Sequence, residues 1–279
     1  SEFLHDFRVA VRRTRSVLSQ IKGVLPPEAI EQFSPGFAWL GQITSEPRDL
    51  DVYLLGFDRY KASLPVIIRD DLDPLYDFIV LRRDQAYGAL VSNLTSAKYR
   101  RLLREWKSFL ERPLSGEADT PLAGVAIKEL SDHRIWRVYK RVLREGRAIT
   151  PDSPAVALHE LRKTCKKLRY LMEFFQSLYG KSRIKGLIKT LKGFQESLGD
   201  FQDFAVQQKT LQQFSQEMMA SRRTPASTLL AMGVLVQQLG RRSSLARGEF
   251  ADRFEDFESA EHRAQFKRLF KDGGKEHDS

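Results

Sequence analysis

The chain has 279 residues, 42% of them hydrophobic, and a chain of this length hides roughly 75% of its unfolded surface on folding. It carries 46 Lys and Arg against 36 Asp and Glu, a formal charge of +10, which favours nucleic acid, an acidic membrane surface or another polyanion as partner. No run approaches the roughly 18 to 20 consecutive apolar residues of a membrane helix, and the single cysteine, Cys165, rules out a disulfide within the chain, so a cytoplasmic setting is expected. Length alone allows one large domain or two units of about 140 residues.

In chain order, charges at Glu2 and Asp6 do not fit a signal peptide. Ser1-Glu2-Phe3 stands directly ahead of a patterned helix, which leaves open a domain upstream. Leu4, Phe7, Val11, Leu18 and Ile21 recur at helical spacing. Pro26-Pro27, Pro35-Gly36, Pro47, Pro65 and Pro74 are expected to break the first half. A polar stretch from Pro113 to Pro121 separates two helical blocks, and Thr150-Pro151-Asp152-Ser153-Pro154 reads as the chief linker, with Pro154 suited to the first turn of the next helix. Leu158, Leu161, Cys165, Leu168, Met172 and Phe175 then form a second apolar stripe. Later breaks are expected near Gly180, Gly199 and Arg222-Arg223-Thr224-Pro225, and the tail from Asp272 to Ser279 is expected to be disordered. β-signals are weak throughout.

An internal repeat organises the chain. Shifted by 154 residues, Leu4-His5-Asp6-Phe7-Arg8 falls on Leu158-His159-Glu160-Leu161-Arg162. Arg12, Arg13 and Arg15 then fall on Lys166, Lys167 and Arg169, Asp49 on Asp203, and Val52 on Val206. A period this long points to duplication rather than a solenoid. The expected fold is all-α: two pseudo-symmetric antiparallel helical bundles, residues 1–150 and 151–279, together one domain.

On a wheel of about 100° per residue, His5, Arg8, Arg12 and Arg15 fall within an arc of about 80°, beside the apolar stripe. His159, Arg162, Lys166 and Arg169 repeat the pattern, whereas Arg13 and Lys167 point elsewhere. Basic residues on a single helix ordinarily just keep it soluble. Here acidic partners at i+4 are largely missing and the spacing recurs, so the paired rows are read as a binding surface. A phosphate polymer offers no apolar area, and its affinity must come from charge-assisted hydrogen bonds and counterion release. Arg matches two phosphate oxygens with a planar fork, and Lys supplies a point charge. Further basic runs are Arg134, Arg137, Lys140, Arg141 and Arg144 around Trp136 and Tyr139, the row Lys185, Lys189 and Lys192, and the pairs Arg82-Arg83 and Arg241-Arg242. For these runs a solvated face is an equally good reading.

These residues resemble the CHAD domain, a family named for conserved histidines on an α-helical domain. Leu4 to Arg15 looks like its first motif, and Arg48-Asp49-Leu50-Asp51-Val52 is similar to the segment that follows. Leu158 to Arg162, Lys166 to Tyr170 and Glu173-Phe174 resemble the mid-domain motif. Phe194-Gln195-Glu196, Leu198-Gly199 and Asp203 resemble the closing one. The resemblance spans about residues 4 to 270. One departure is Ser45-Glu46-Pro47, where the family usually has a Gly before the Arg-Asp pair. The resemblance implies two similar bundles whose basic surface binds inorganic polyphosphate, with association to polyphosphate granules or fusion to a triphosphate tunnel domain. It maps the ligand row onto His5, Arg8, Arg12, Arg15, His159, Arg162, Lys166 and Arg169. Arg137, Lys140, Arg141, Lys189 and Lys192 are added from the other basic runs. Asp49, Asp51 and Asp203 would repel a polyanion and are read as orienting arginines of the rows.

Several other chemistries fail on spacing. Gly180-Lys181-Ser182 lacks the Gly of a phosphate loop, because position 175 is Phe, and His159-Glu160 lacks the second His of a zinc-protease helix, because position 163 is Lys. The five histidines form no local metal pair, and one Cys makes a structural zinc site improbable. The alternating Glu and Lys of a tunnel triphosphatase are missing from this chain. The expectation is a binding protein without catalysis, metal or cofactor. RNA or DNA binding and an accessory role in phosphate-polymer processing are the alternatives. Phe7, Trp136 and Tyr139 are the aromatics that would stack on bases.

Overall fold

The computed structural model describes residues 2–20, 23–112, 122, 124–220 and 224–272. Among them no strand forms, and the chain is all-α. The helices are α1 (Glu2–Gln20), α2 (Pro27–Ile43), α3 (Ser45–Leu55), α4 (Phe57–Ser63), α5 (Asp73–Leu94), α6 (Ala97–Glu111), α7 (Ile127–Arg147), α8 (Ala155–Phe174), α9 (Lys181–Ala220), α10 (Ala226–Gly248), α11 (Phe250–Phe257) and α12 (Ala260–Phe270). Short 3-10 turns lie at Val66–Ile68, Asp70–Leu72 and Gln176–Leu178. Ile21, the Pro113–Pro121 stretch, Arg222-Arg223 and the tail beyond Asp272 lie outside the described residues.

Several expected breaks are helix starts: Pro27 and Pro74 occupy first turns, where the missing N–H has no helical partner to lose. Two expected breaks do not occur. Pro35-Gly36 lies inside α2, which buries Ala29, Phe33, Phe37 and Leu40 along one side. The apolar face overrides the local cost of the proline. A Cβ on Gly36 would stand 2.6 Å from Leu102 of α6, so the glycine serves close packing and not a turn. Gly199 likewise lies within the continuous α9.

The chain divides into two compact units. The first comprises residues 1–124 and 212–235, so it takes the C-terminal end of α9 and the start of α10. Its core gathers Val11, Leu18, Phe33, Phe37, Leu40 and Leu102, with Trp106 edge-on to Phe33 at 4.9 Å and to Phe37 at 5.1 Å. Phe214 of α9 joins this unit against Phe78 and Tyr53. Arg82 reaches Glu46 at 2.9 Å and also bonds to Glu217.

The second unit comprises residues 125–211 and 236–279. Helix α7 packs on α8 and α12, with Tyr139 stacked on Phe266 at 3.8 Å. Leu161, Cys165, Leu168 and Met172 of α8 are buried, and burial pushes the Cys165 thiol up from its ordinary range. The segment Thr150–Pro154, expected to be the border between halves, is a turn inside this unit, held by Arg247, which donates to the carbonyls of Pro151 (2.8 Å) and Ser153. The units therefore do not follow a single cut at residue 150. The buried residues Ile135, Val138, Tyr139 and Val142 draw α7 to the helices that come after it.

Close approach to α7 depends on Gly146, where a Cβ would lie 2.0 Å from the Phe254 ring. The Gly146→Ala substitution is expected to destabilise by about 1–3 kcal/mol through overpacking, although alanine favours helix. Gly88→Ala meets open space and is expected to gain up to about 1 kcal/mol. Urea denaturation of the two variants checks both values.

Candidate anion-binding surfaces

In the first unit, the row on α1 does not behave as four equivalent cations. His5, Arg12 and Arg15 are exposed, whereas Arg8 is half-buried. Arg8 Nη1 donates to the Gly41 carbonyl at 3.3 Å, Thr44 Oγ1 at 3.0 Å and Ser45 Oγ at 3.2 Å. These acceptors sit where α2 ends and α3 begins, and a cation is favoured beside the carbonyl end of a helix. Burial lowers the Arg8 pKa, and the Asp49 carboxylate opposes that shift. Thr44 is fully buried and also donates to the Leu40 carbonyl at 2.7 Å, so its hydroxyl is fixed in place for Arg8. Arg15 lies over Gly41, where a Cβ would come within 2.7 Å of its guanidinium. Asp51 accepts from the Tyr87 hydroxyl at 2.7 Å.

In the second unit, all four members of the α8 row are half-buried. His159 Nδ1 donates to Gln202 Oε1 at 2.7 Å. Arg162 Nη2 meets Asp203 at 3.1 Å and lies near Gly199, where a Cβ would be 3.5 Å away. Arg162 Nε is buried and has no hydrogen-bond partner among the described residues. Arg169 Nε is 3.7 Å from Glu173, an i+4 pair within the row that its spacing already contained, and its guanidinium lies 5.2 Å from the Tyr170 ring centre. Desolvation raises the pKa of neighbouring Asp200, with the carboxylates of Asp203, Glu196 and Glu249 adding to it.

The additional basic runs separate by environment. Arg137 and Lys140 of α7 and Lys185, Lys189 and Lys192 of α9 are exposed. Arg141 is paired with Glu145 at 2.5 Å, the i+4 carboxylate on its own helix. Arg82 is engaged by Glu46 and Glu217, and Arg83 by Asp84 at 2.9 Å. Tyr139 is core, Phe7 packs on the core of the first unit, and Trp136 is half-buried beside Tyr139. Phe7 and Tyr139 are thus committed to packing and not to stacking on bases. Among the described residues, no cluster of three or more His, Cys, Asp or Glu is placed to hold a metal, and no helix is long and apolar enough to cross a membrane.

A helical protein with histidine-led basic rows on two helices, each held by a neighbouring segment around an Arg-Asp pair or its counterpart, has the features of the CHAD class. The CHAD domain family model matches residues 1–212, and the chain belongs to that family. Among solved structures it is similar to the CHAD domain from the plant Ricinus communis, with 24% identity and a TM-score of 0.71 over 94% of this chain and 80% of that one. It is also similar to PptA from Streptomyces chartreusis, with 17% identity and a TM-score of 0.68 over 91% of this chain and 89% of that one. These likenesses support the fold. No curated protein sequence gives a significant match.

Of the residues beside the rows, Gly41, Thr44 and Gln202 do not stand out in the sequence, and Ser45 and Gly199 do so only for other reasons. One signal points to them: the shift of 154 residues places Ser45 on Gly199 and Arg48 on Gln202. Because Arg8 makes three hydrogen bonds from a half-buried position, Arg8→Ala is expected to cost about 1.5–3 kcal/mol of stability. Exposed Arg13→Ala should stay within about 0.5 kcal/mol. Chemical denaturation of the pair measures the difference.

Proposed function

We propose that the protein binds inorganic polyphosphate, without catalysis, through the cationic rows of α1 and α8. The observation that carries this reading is that each row contains an arginine fixed by its own unit: Arg8 by Gly41, Thr44 and Ser45, and Arg162 by Asp203. The other members follow at one-turn spacing along the same helix. Residues one turn apart stand about 5.4 Å apart along the axis, which suits a linear chain of phosphates. Membership of the CHAD family supports the choice of polyphosphate among polyanions. The recurrence of the arginine seat under the 154-residue shift supports two related halves.

On this reading Asp49 and Asp203 are positioning residues. They face the row arginines and not the ligand. A cytoplasmic location on polyphosphate granules is part of the same proposal and rests on the family. The core positions of Phe7 and Tyr139 count against base stacking, so long polyphosphate should displace RNA or DNA irrespective of base sequence.

The test replaces Arg12, Arg15 and Lys166 with Gln, sparing the arginines that hold helices together. Binding of polyphosphate, followed by titration calorimetry, should weaken at least tenfold while helical content is unchanged. The slope of log affinity against log salt should flatten by about 0.7 for each phosphate that is no longer neutralised. Undiminished binding in this triple variant would refute the assignment of the rows. Release of phosphate by the purified protein with divalent metal would refute the non-enzymatic part.

A further inference from the structure

Helix α7 carries a third row that the histidine-led motifs do not include. Taking His133 as origin on a wheel of about 100° per residue, Arg137, Lys140 and Arg144 fall within an arc of about 60° that includes it. All four are exposed. The arc is opposite the face that buries Ile135, Val138, Tyr139, Val142 and Gly146 against the rest of the unit.

Some cations on solvated helices of this chain have an acid one turn away. Arg101 has Glu105, Lys107 has Glu111, and Arg253 has Glu249. On α7 itself, Asp132 pairs with Lys128 at 2.6 Å and Glu145 with Arg141 at 2.5 Å, both off the arc. Among the described residues, no hydrogen bond or ion pair engages His133, Arg137, Lys140 or Arg144. Carboxylates mark only the two ends: Glu129 lies in the first turn, and Arg147 is bound by Glu258 at 2.7 Å. Charge on α7 is therefore segregated, with about 10 Å of cations from Arg137 to Arg144 between acidic ends.

We infer that this face of α7 is an auxiliary surface for the same linear phosphate polymer, one that engages only chains long enough to be held elsewhere on the protein at the same time. This rests on the proposed polyphosphate reading. Exposed charges in high dielectric are individually weak and strongly screened, so the α7 row alone holds a short chain poorly. The α8 row is half-buried on a helix packed against α7 in the same unit. A polymer already held there meets the α7 row as an intramolecular partner at high effective concentration. The row then converts polymer length into affinity.

The experiment compares chains of a few phosphates with chains of about a hundred, using the parent, an α7 variant (Arg137→Gln, Lys140→Gln, Arg144→Gln) and the variant with Gln at positions 12, 15 and 166. The α7 variant should bind long chains at least tenfold more weakly, with a salt slope flatter by about 2, and short chains within twofold of the parent. Parent-like affinity and salt slope for long chains would overturn the inference. Loss of short-chain binding in the α7 variant would overturn it too, since the row would then be a primary site. If short chains bind the variant at positions 12, 15 and 166 as they bind the parent, the failure belongs to the α1 and α8 rows and not to α7. The substitutions are at solvent-accessible positions, and an unchanged thermal melt confirms that each variant is folded.

Discussion

A guanidinium taken half out of water must recover its hydrogen bonds from the protein, and this requirement places the two histidine-led helices. Arg8 recovers them at the junction of α2 and α3, where the Gly41 carbonyl and the Thr44 and Ser45 hydroxyls converge on one nitrogen. Arg162 recovers part of its own from Asp203 of α9. Each contact ties a cationic helix to a neighbouring segment within its unit and fixes the azimuth of the rest of the row. Both arginines are thereby partly structural.

The same logic explains the acids. A polyanion site gains nothing from a carboxylate directed at the ligand, yet buried arginines need counter-charges. Asp203 and Glu173 meet that need from the side, and so does the field of Asp49 on Arg8. Where a helix needs no such anchoring, as on the outer face of α7, the cations stand without acids beside them. Half-buried rows provide a few strong, positioned contacts, and an exposed row provides several weak, screened ones. A long flexible polymer is the kind of ligand that can use both.

Much of the fold was legible because helical periodicity and core burial coincide. Leu4, Val11 and Leu18 of α1, and Leu158, Leu161, Cys165, Leu168 and Met172 of α8, are buried as their spacing implies. Local punctuation was less reliable. Pro35-Gly36 and Gly199 read as breaks but lie inside helices, and at Gly36 close packing against Leu102 outweighs the local preference. The Thr150–Pro154 segment carries the composition of a domain border and is a turn between two packed helices. Composition records where the backbone bends but not which helices then share a core.

The sequence by itself determined the all-α class, the family, and the rows in which His5, Arg12, Arg15, His159 and Lys166 stand, because these follow from side-chain type and the fixed pitch of one helix. Only the tertiary structure decided which cations are open to a ligand and which are engaged within the protein. Arg8 is held by residues more than 30 positions away in the chain, Arg162 by one 41 positions away, and the bare face of α7 exists because α8 and α12 cover the others. The partners that neutralise or seat a charge are chosen by packing between helices, and that choice leaves no mark in the periodicity of any one of them.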